Sequence, residues 1–208
     1  MYLKMADERT VRTAVRAGLD FVRIDMCHGV NDPDDVRRLA SAAHVAGLRV
    51  SVRVPKNQAA ITAAMRAAPE SLTFPDVRDP QEAETLRRMV GPATHISVQI
   101  ESEEGLQNLT GLAASPSIDM LQCGRSDLAV NLRVADSSLA AMAVYDEQVF
   151  EAARTASKLF CLHAPPGTGK YGSEWLARGA TCITVGADTQ MIAAALEQAL
   201  AHLKCQPN

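Results

Sequence analysis

Val98-Gln99-Ile100-Glu101, a helical run from Glu103 to Ala114, and Ile118-Asp119-Met120-Leu121-Gln122-Cys123-Gly124-Arg125-Ser126-Asp127-Leu128 read together as strand, helix, strand. Ser115-Pro116-Ser117 breaks the helix, and an acid stands just past the end of each strand. In a parallel sheet the right-handed crossover returns the chain so that carboxyl ends of successive strands lie side by side. Glu101 and Asp127 are therefore candidates to face each other at one rim, within reach of a single hard cation. The plainer alternative is two surface acids at helix starts, since Ser126-Asp127 after Gly124 also fits a helix N-terminus.

The same alternation runs outward in both directions. Towards the N-terminus, short apolar runs at Tyr2 to Met5, Asp20 to Asp25, Leu48 to Val54, Leu72 to Pro75 and His95 to Glu101 read as strands. Helices are expected from Asp7 to Ala17, from Asp32-Pro33 to Gly47, from Gln58 to Ala67 and from Pro80 to Val90. Glycines at 18, 47 and 91 stand where helices stop, and prolines at 33 and 80 where they begin. Towards the C-terminus, an irregular section from Asp127 through Ser137-Ser138 precedes a helix from about Glu147 to Ser157. Strands at Lys158 to His163 and Thr181 to Val185 follow, with helices from Ser173 to Arg178 and from Asp188 to about Leu203. Asp188 reads as a helix N-cap, and the tail Lys204 to Asn208 as frayed. Eight strands alternating with eight helical segments predict a parallel sheet closed as a single (β/α)8 TIM barrel over residues 1–208. An open doubly wound sheet is the alternative, and in either case ligands bind at the carboxyl ends of the strands.

Composition narrows the function classes. A chain of 208 residues can bury a core without disulfides or a structural metal. The net charge of −3, without a basic cluster, and the 4% aromatic content argue against nucleic acid as a partner. No apolar run is long enough for a membrane span, and the first residues lack the pattern of a signal peptide. Five cysteines without close pairs read as reduced thiols, so a cytoplasmic protein is expected. Cys123, Cys161 and Cys182 sit in apolar runs and read as buried small residues rather than ligands.

What collects at the strand ends is Asp25 and His28 after strand two, Arg53 at strand three, Gln99 and Glu101 at strand five, Asp127 after strand six and His163 at strand seven. At this point the chain resembles the metal-dependent class II pyruvate aldolases of the HpcH/HpaI type, with their citrate-lyase beta-subunit relatives. The resemblance rests on Leu19-Asp20-Phe21-Val22-Arg23-Ile24-Asp25-Met26-Cys27-His28-Gly29, Val52-Arg53-Val54-Pro55 and Phe74-Pro75-Asp76-Val77. Gln99-Ile100-Glu101, Gly124-Arg125-Ser126-Asp127-Leu128 and Thr184-Val185-Gly186-Ala187-Asp188 complete it, all in the family's order.

The resemblance implies cleavage or formation of 4-hydroxy-2-oxo acids through a pyruvate enolate. It implies a divalent metal, Mg2+ or Mn2+ with Co2+ also admitted, held by Glu101 and Asp127. Arg53 would bind the keto oxygen of pyruvate, and the amides at Ser126 and Asp127, after Gly124, its carboxylate. His28, oriented by Asp25, would be the general base, and Gln99 would hold water or support the ligands. A small oxo acid is thus the expected partner, together with a second copy of the chain, since such barrels assemble. The helix from Asp188 to Leu203, with Met191, Ile192, Ala195, Leu196 and Leu200 on one stripe, suits assembly and packing on its own barrel alike.

Three positions depart from the aldolase pattern: Cys27 stands where an acid is usual, Arg125 where a proline is usual, and a short turn joins Val90 to His95 in place of a long insertion. Arg125 either contacts an anionic substrate or pairs with an acid elsewhere. Pro165-Pro166-Gly167-Thr168-Gly169-Lys170-Tyr171 looks like a phosphate loop but lacks its first glycine and its Ser/Thr. Lys170 and His163 are taken as substrate contacts, because the loop after strand seven of a barrel often meets an anionic group. Two other functions are carried forward: an acyl-CoA ester lyase or hydrolase, and a binding or scaffold barrel without catalysis.

Overall fold

The computed structural model describes residues 1–29, 32–135 and 138–204. Val30 and Asn31 of the loop after strand two, Ser137 of the irregular section, and Cys205 to Asn208 of the tail lie outside the described residues. The chain runs β1 (Tyr2–Leu3), α1 (Glu8–Arg16), β2 (Phe21–Asp25), α2 (Pro33–Val45), β3 (Arg49–Arg53), α3 (Gln58–Met65), β4 (Ser71–Phe74), α4 (Pro80–Val90) and β5 (His95–Ile100). It continues α5 (Glu103–Gln107), α6 (Leu109–Ala114), β6 (Met120–Cys123), α7 (Arg125–Asn131), α8 (Leu139–Thr155), β7 (Leu159–His163), α9 (Gly169–Arg178), β8 (Cys182–Thr184) and α10 (Asp188–Lys204).

All neighbouring strands pair in parallel, in sequence order from β1 to β8. The ring closes just past β8, where Tyr2 bridges Ala187 and its N–H donates to the Gly186 carbonyl at 2.9 Å. The expected barrel is what forms. Short polar residues start the helices by accepting main-chain N–H groups, as Asp7, Asp32, Asn57, Asp79 and Ser102 do.

Asp188 acts differently from the expected helix cap. It is buried, and its carboxylate accepts the main-chain N–H groups of Lys4 (3.0 and 3.1 Å) and Met5 (3.0 Å). It therefore pins the end of β1 to the start of α10 across the seam where the barrel closes.

The section expected to be irregular, Asp127 through Ser138, is helical only over its first five residues and is followed by a helix longer than expected. Helix α7 starts directly after Gly124, and α8 starts at Leu139, eight residues before the expected Glu147. Among the described residues there are ten helices rather than eight, partly because the α5–α6 run divides at Asn108.

The two faces of the strands differ sharply. Val22, Ile24, Val50, Val52, Leu72, Ile96, Val98, Leu121 and Leu162 are buried with apolar partners. Phe160 of β7 meets Phe150 of α8 and Trp175 of α9 edge to face or tilted, which places this core between barrel and helices. Each such side chain contributes roughly 1.5–3 kcal/mol relative to exposure.

The alternate positions are polar and fill the barrel itself. Arg23 is buried there, donating through Nε to Ser51 (3.2 Å) and through Nη1 to Tyr2 (2.9 Å) and to Gln122 across the barrel (2.8 Å). Barrel interiors are more often filled by branched apolar side chains. Here a hydrogen-bonded layer forms the floor beneath the strand ends.

Candidate active site

One pocket opens at the carboxyl ends of the strands, and Asp25, His28, Arg53, Gln99, Glu101, Gly124, Arg125, Ser126, Asp127 and His163 all line it. Ten of the eleven site residues proposed from sequence thus meet in one place. Lys170 does not line it: it lies in the first turn of α9, exposed, with Glu174 at 3.9 Å. Tyr2, Lys4, Gln122, Ala187 and Gln190 also line the pocket and were not singled out from sequence.

Arg53 is the hub of one wall. Asp25 receives its Nε at 2.9 Å and its Nη2 at 2.8 Å, a two-point pairing that fixes the guanidinium plane. Burial works to raise the Asp25 carboxyl, yet the Arg53 hydrogen bonds and charge hold it below the usual carboxylate range. Asp25 also accepts the main-chain N–H groups of Cys27 (3.0 Å) and His28 (3.1 Å), so it shapes the loop. The His28 ring itself meets Arg53, whose Nη2 lies 2.5 Å from Nδ1. A guanidinium only donates, so Nδ1 is the acceptor and a neutral ring carries its proton on Nε2. The expected orienting role of Asp25 towards His28 thus runs through the backbone and through Arg53. Arg53 Nη1 also reaches Gln99 Oε1 at 3.5 Å.

The opposing wall carries the two acids. Glu101 is buried, and its Oε1 has no hydrogen-bond partner among the described residues. Burial, and after it the Asp127 charge, push this carboxyl up to about 7. Two carboxylates that line one pocket and feel each other's charge, one with an unsatisfied oxygen, suit a hard divalent cation that leaves positions open for water and substrate oxygens. Gly124 makes the approach feasible: a Cβ there would sit 2.3 Å from Glu101 Oε1 and Cγ. Among the described residues no group of three or more His, Cys, Asp or Glu gathers that could hold a metal ion.

Arg125 is half of a second buried pair. Its Nη1 lies 3.1 Å from Asp146 of α8, its Nη2 donates to the His163 carbonyl, and Tyr171 donates to Asp146 at 3.1 Å. The alternative in which Arg125 pairs with an acid elsewhere is the one observed, and the pairing ties the loop of Asp127 to α8 and β7. Sequence reading missed Asp146 because its helix was expected to begin only at Glu147. His163 is kept neutral: burial, then the charges of Arg125 and Arg23, lower its pKa to about 4. Thr184 Oγ1 lies 3.1 Å from its Nδ1 and donates to the Leu162 carbonyl at 3.3 Å, which leaves Oγ1 to accept the Nδ1 proton.

A sequence profile described as HpcH/HpaI aldolase/citrate lyase matches residues 1–195. A hydroxypyruvate/pyruvate aldolase of Paraburkholderia phytofirmans is 29% identical over 169 residues, 64% of this chain and 65% of that protein. The chain therefore matches just under two thirds of that relative's length. A protein of the same name from Rhizorhabdus wittichii is 28% identical over 188 residues, 84% of this chain and 71% of the relative. Among solved structures, the citrate synthase SbnG superposes with a TM-score of 0.89 at 21% identity, covering 98% of this chain and 91% of that one. At that identity the likeness speaks for the fold.

Proposed function

This chain belongs to the HpcH/HpaI aldolase/citrate lyase family, and from that premise we propose that it is a metal-dependent carbon–carbon lyase that cleaves or forms 4-hydroxy-2-oxo acids through a pyruvate enolate. The observation that carries the reading is the pairing of Glu101, with its orphaned Oε1, and Asp127 in the same pocket as the Asp25–Arg53–His28 constellation. A divalent cation, Mg2+ or Mn2+, held by Glu101 and Asp127 would act as a Lewis acid towards the oxygens of the oxo acid.

The protein's own residues supply the rest. Arg53, its plane fixed by Asp25, offers donors where negative charge grows on the keto oxygen, an interaction that strengthens as the enolate forms. The first N–H groups of α7, at Ser126 and Asp127, have no acceptor within their own helix and suit the carboxylate. His28 becomes a base through the substrate. An oxygen that takes the Arg53 Nη2 donor replaces Nδ1 as its acceptor, and the freed Nδ1 lone pair takes the proton from the C4 hydroxyl. The C3–C4 bond then breaks, its electron pair passes into the enolate, and the aldehyde leaves; protonation at C3 gives pyruvate.

Proton NMR of pyruvate in D2O tests this. Loss of the methyl signal is expected with the protein and Mg2+ or Mn2+, and not after EDTA. Absence of exchange with any divalent ion overturns the reading.

Assembly into a homo-oligomer is part of the same proposal. On α10, Met191 packs on the barrel core, whereas Ile192, Leu196, Leu200 and Leu203 are exposed in a row at helical spacing. A second copy of the chain is the occupant we assign to this stripe. Light scattering should give a multiple of 22.3 kDa, with Leu196→Glu/Leu200→Glu shifting it to monomer; a wild-type monomer at micromolar concentration removes the assignment. Among the described residues no helix is long and apolar enough to cross a membrane.

A further inference from the structure

We propose that Cys161 and Cys182 form a peroxide-sensitive dithiol in the barrel interior, a modification site at which a hydroperoxide closes a reversible disulfide. The proposal stands apart from the aldolase reading, since neither cysteine lines the strand-end pocket.

The fold builds a pair that is 21 residues apart in the chain. Cys161 lies in the middle of β7 and Cys182 opens β8, and in the parallel pairing they stand directly opposite each other. Neighbouring strands lie about 4.8 Å apart, inside the Cα separation of ~4.4–6.8 Å that a disulfide spans. Direction agrees with distance. Phe160 faces the helices, so Cys161 and His163 face the barrel interior. The paired His163 and Thr184, two residues further along, already meet through their side chains at 3.1 Å. Cys161 and Cys182 are the preceding rung on the same side, and their sulfurs share a hydrogen bond.

Arg23 gives the pair its chemistry. This cation is buried, and its Nε and Nη1 donate to Ser51, Tyr2 and Gln122, all neutral. Among the described residues no carboxylate pairs with it, and the groups whose negative charge would favour it most are Tyr2, Cys161 and Cys182. A buried guanidinium without a counter-charge is costly, which favours a thiolate beside it. The hydrogen bond from Cys182, then the Arg23 charge, outweigh burial and draw Cys161 below the ordinary thiol range. The same hydrogen bond pushes Cys182 up, so one proton serves two sulfurs. A thiolate is the form that attacks an oxidant.

Access sets the order of events. Cys161 is enclosed, whereas Cys182 is half-buried at the amino end of β8, away from the pocket. Hydrogen peroxide therefore meets Cys182 first. Once the shared proton passes to Cys161, the Cys182 thiolate attacks one peroxide oxygen and the O–O bond breaks. Hydroxide leaves, is protonated to water, and Cys182 becomes a sulfenic acid. Cys161 then attacks the Cys182 sulfur: the S–S bond forms, the S–O bond breaks, and hydroxide leaves with the Cys161 proton as a second water. Both sulfurs are oxidised and the peroxide is reduced; a dithiol reductant reverses the change.

The test treats folded wild-type protein with hydrogen peroxide, blocks remaining thiols with N-ethylmaleimide, and maps tryptic peptides by mass spectrometry. A peptide linking Cys161 to Cys182 is expected, lighter by two hydrogens than its separate halves and lost on treatment with dithiothreitol. Peptide mapping separates this link from any that involves Cys27, Cys123 or Cys205. In Cys161→Ser the link should vanish and dimedone should label Cys182 instead, as trapping of its sulfenic acid requires. Both cysteines recovered as maleimide adducts, while a peptide thiol added as a control is oxidised, overturns the proposal. A link that forms only after unfolding in urea overturns it as well, because the native pairing would then have no part in it.

Discussion

Arg53→Lys is expected to slow metal-dependent exchange of the pyruvate methyl group by a factor on the order of 10²–10³, as for loss of one preorganised donor to a developing oxyanion. The charge is retained, so the loss would come from geometry. Arg53 meets three partners from one rigid plane: both carboxylate oxygens of Asp25, the ring of His28, and the side-chain oxygen of Gln99. A lysine ammonium is a point donor on a flexible stem and cannot pair two-fold with Asp25 while also reaching His28. In the variant the keto oxygen loses an oriented donor, and His28 loses the contact that ties its Nδ1 to substrate arrival. Fluorescence-detected unfolding in urea should be run alongside, because Asp25 and Arg53 are both buried. A threefold or smaller change in exchange, with folding intact, would remove Arg53 from the keto oxygen.

The barrel was legible because each strand announces itself on its outer face. Val22 and Ile24, Val50 and Val52, and Ile96 and Val98 pack against helices, and their polar alternates do not break the pattern. The rim was legible for a related reason. Chemistry at strand ends sits at fixed offsets from strands that can be recognised, as Arg53 and Glu101 do.

What escaped lies where that signal is weak. β1 is two residues long, too short for period-two alternation to single out Tyr2 or Lys4. Asp188 looks in sequence like any acid opening a helix; its hydrogen bonds to Lys4 and Met5 span the closure and depend on the ring being shut. Asp146 was hidden because Leu139 to Asp146 is rich in alanine and gives little contrast between helix faces. Lys170 was drawn in by a glycine-rich loop resembling an anion-binding turn, and it points to Glu174 instead.

Gly124→Ala separates the site from the fold more cleanly than any change to a charged residue. The glycine has a φ of −87°, which alanine adopts without strain, so its backbone does not require glycine. What requires it is Glu101, whose Cγ and Oε1 would lie 2.3 Å from the new methyl group. A flexible glutamate relieves that clash by swinging away, which costs the barrel little and moves the carboxylate off Asp127. Divalent-ion affinity by calorimetry should therefore fall by on the order of 10² or more, at or beyond the range for perturbing the support of a ligand. Methyl exchange should fall with it, and the urea midpoint should stay close to wild type. Had Glu101 served only to satisfy a helix start, its displacement would leave the cation unaffected. Unaltered metal affinity in this variant would thus take the metal away from Glu101, and a collapse of the urea transition would mean that the carboxylate has nowhere to move.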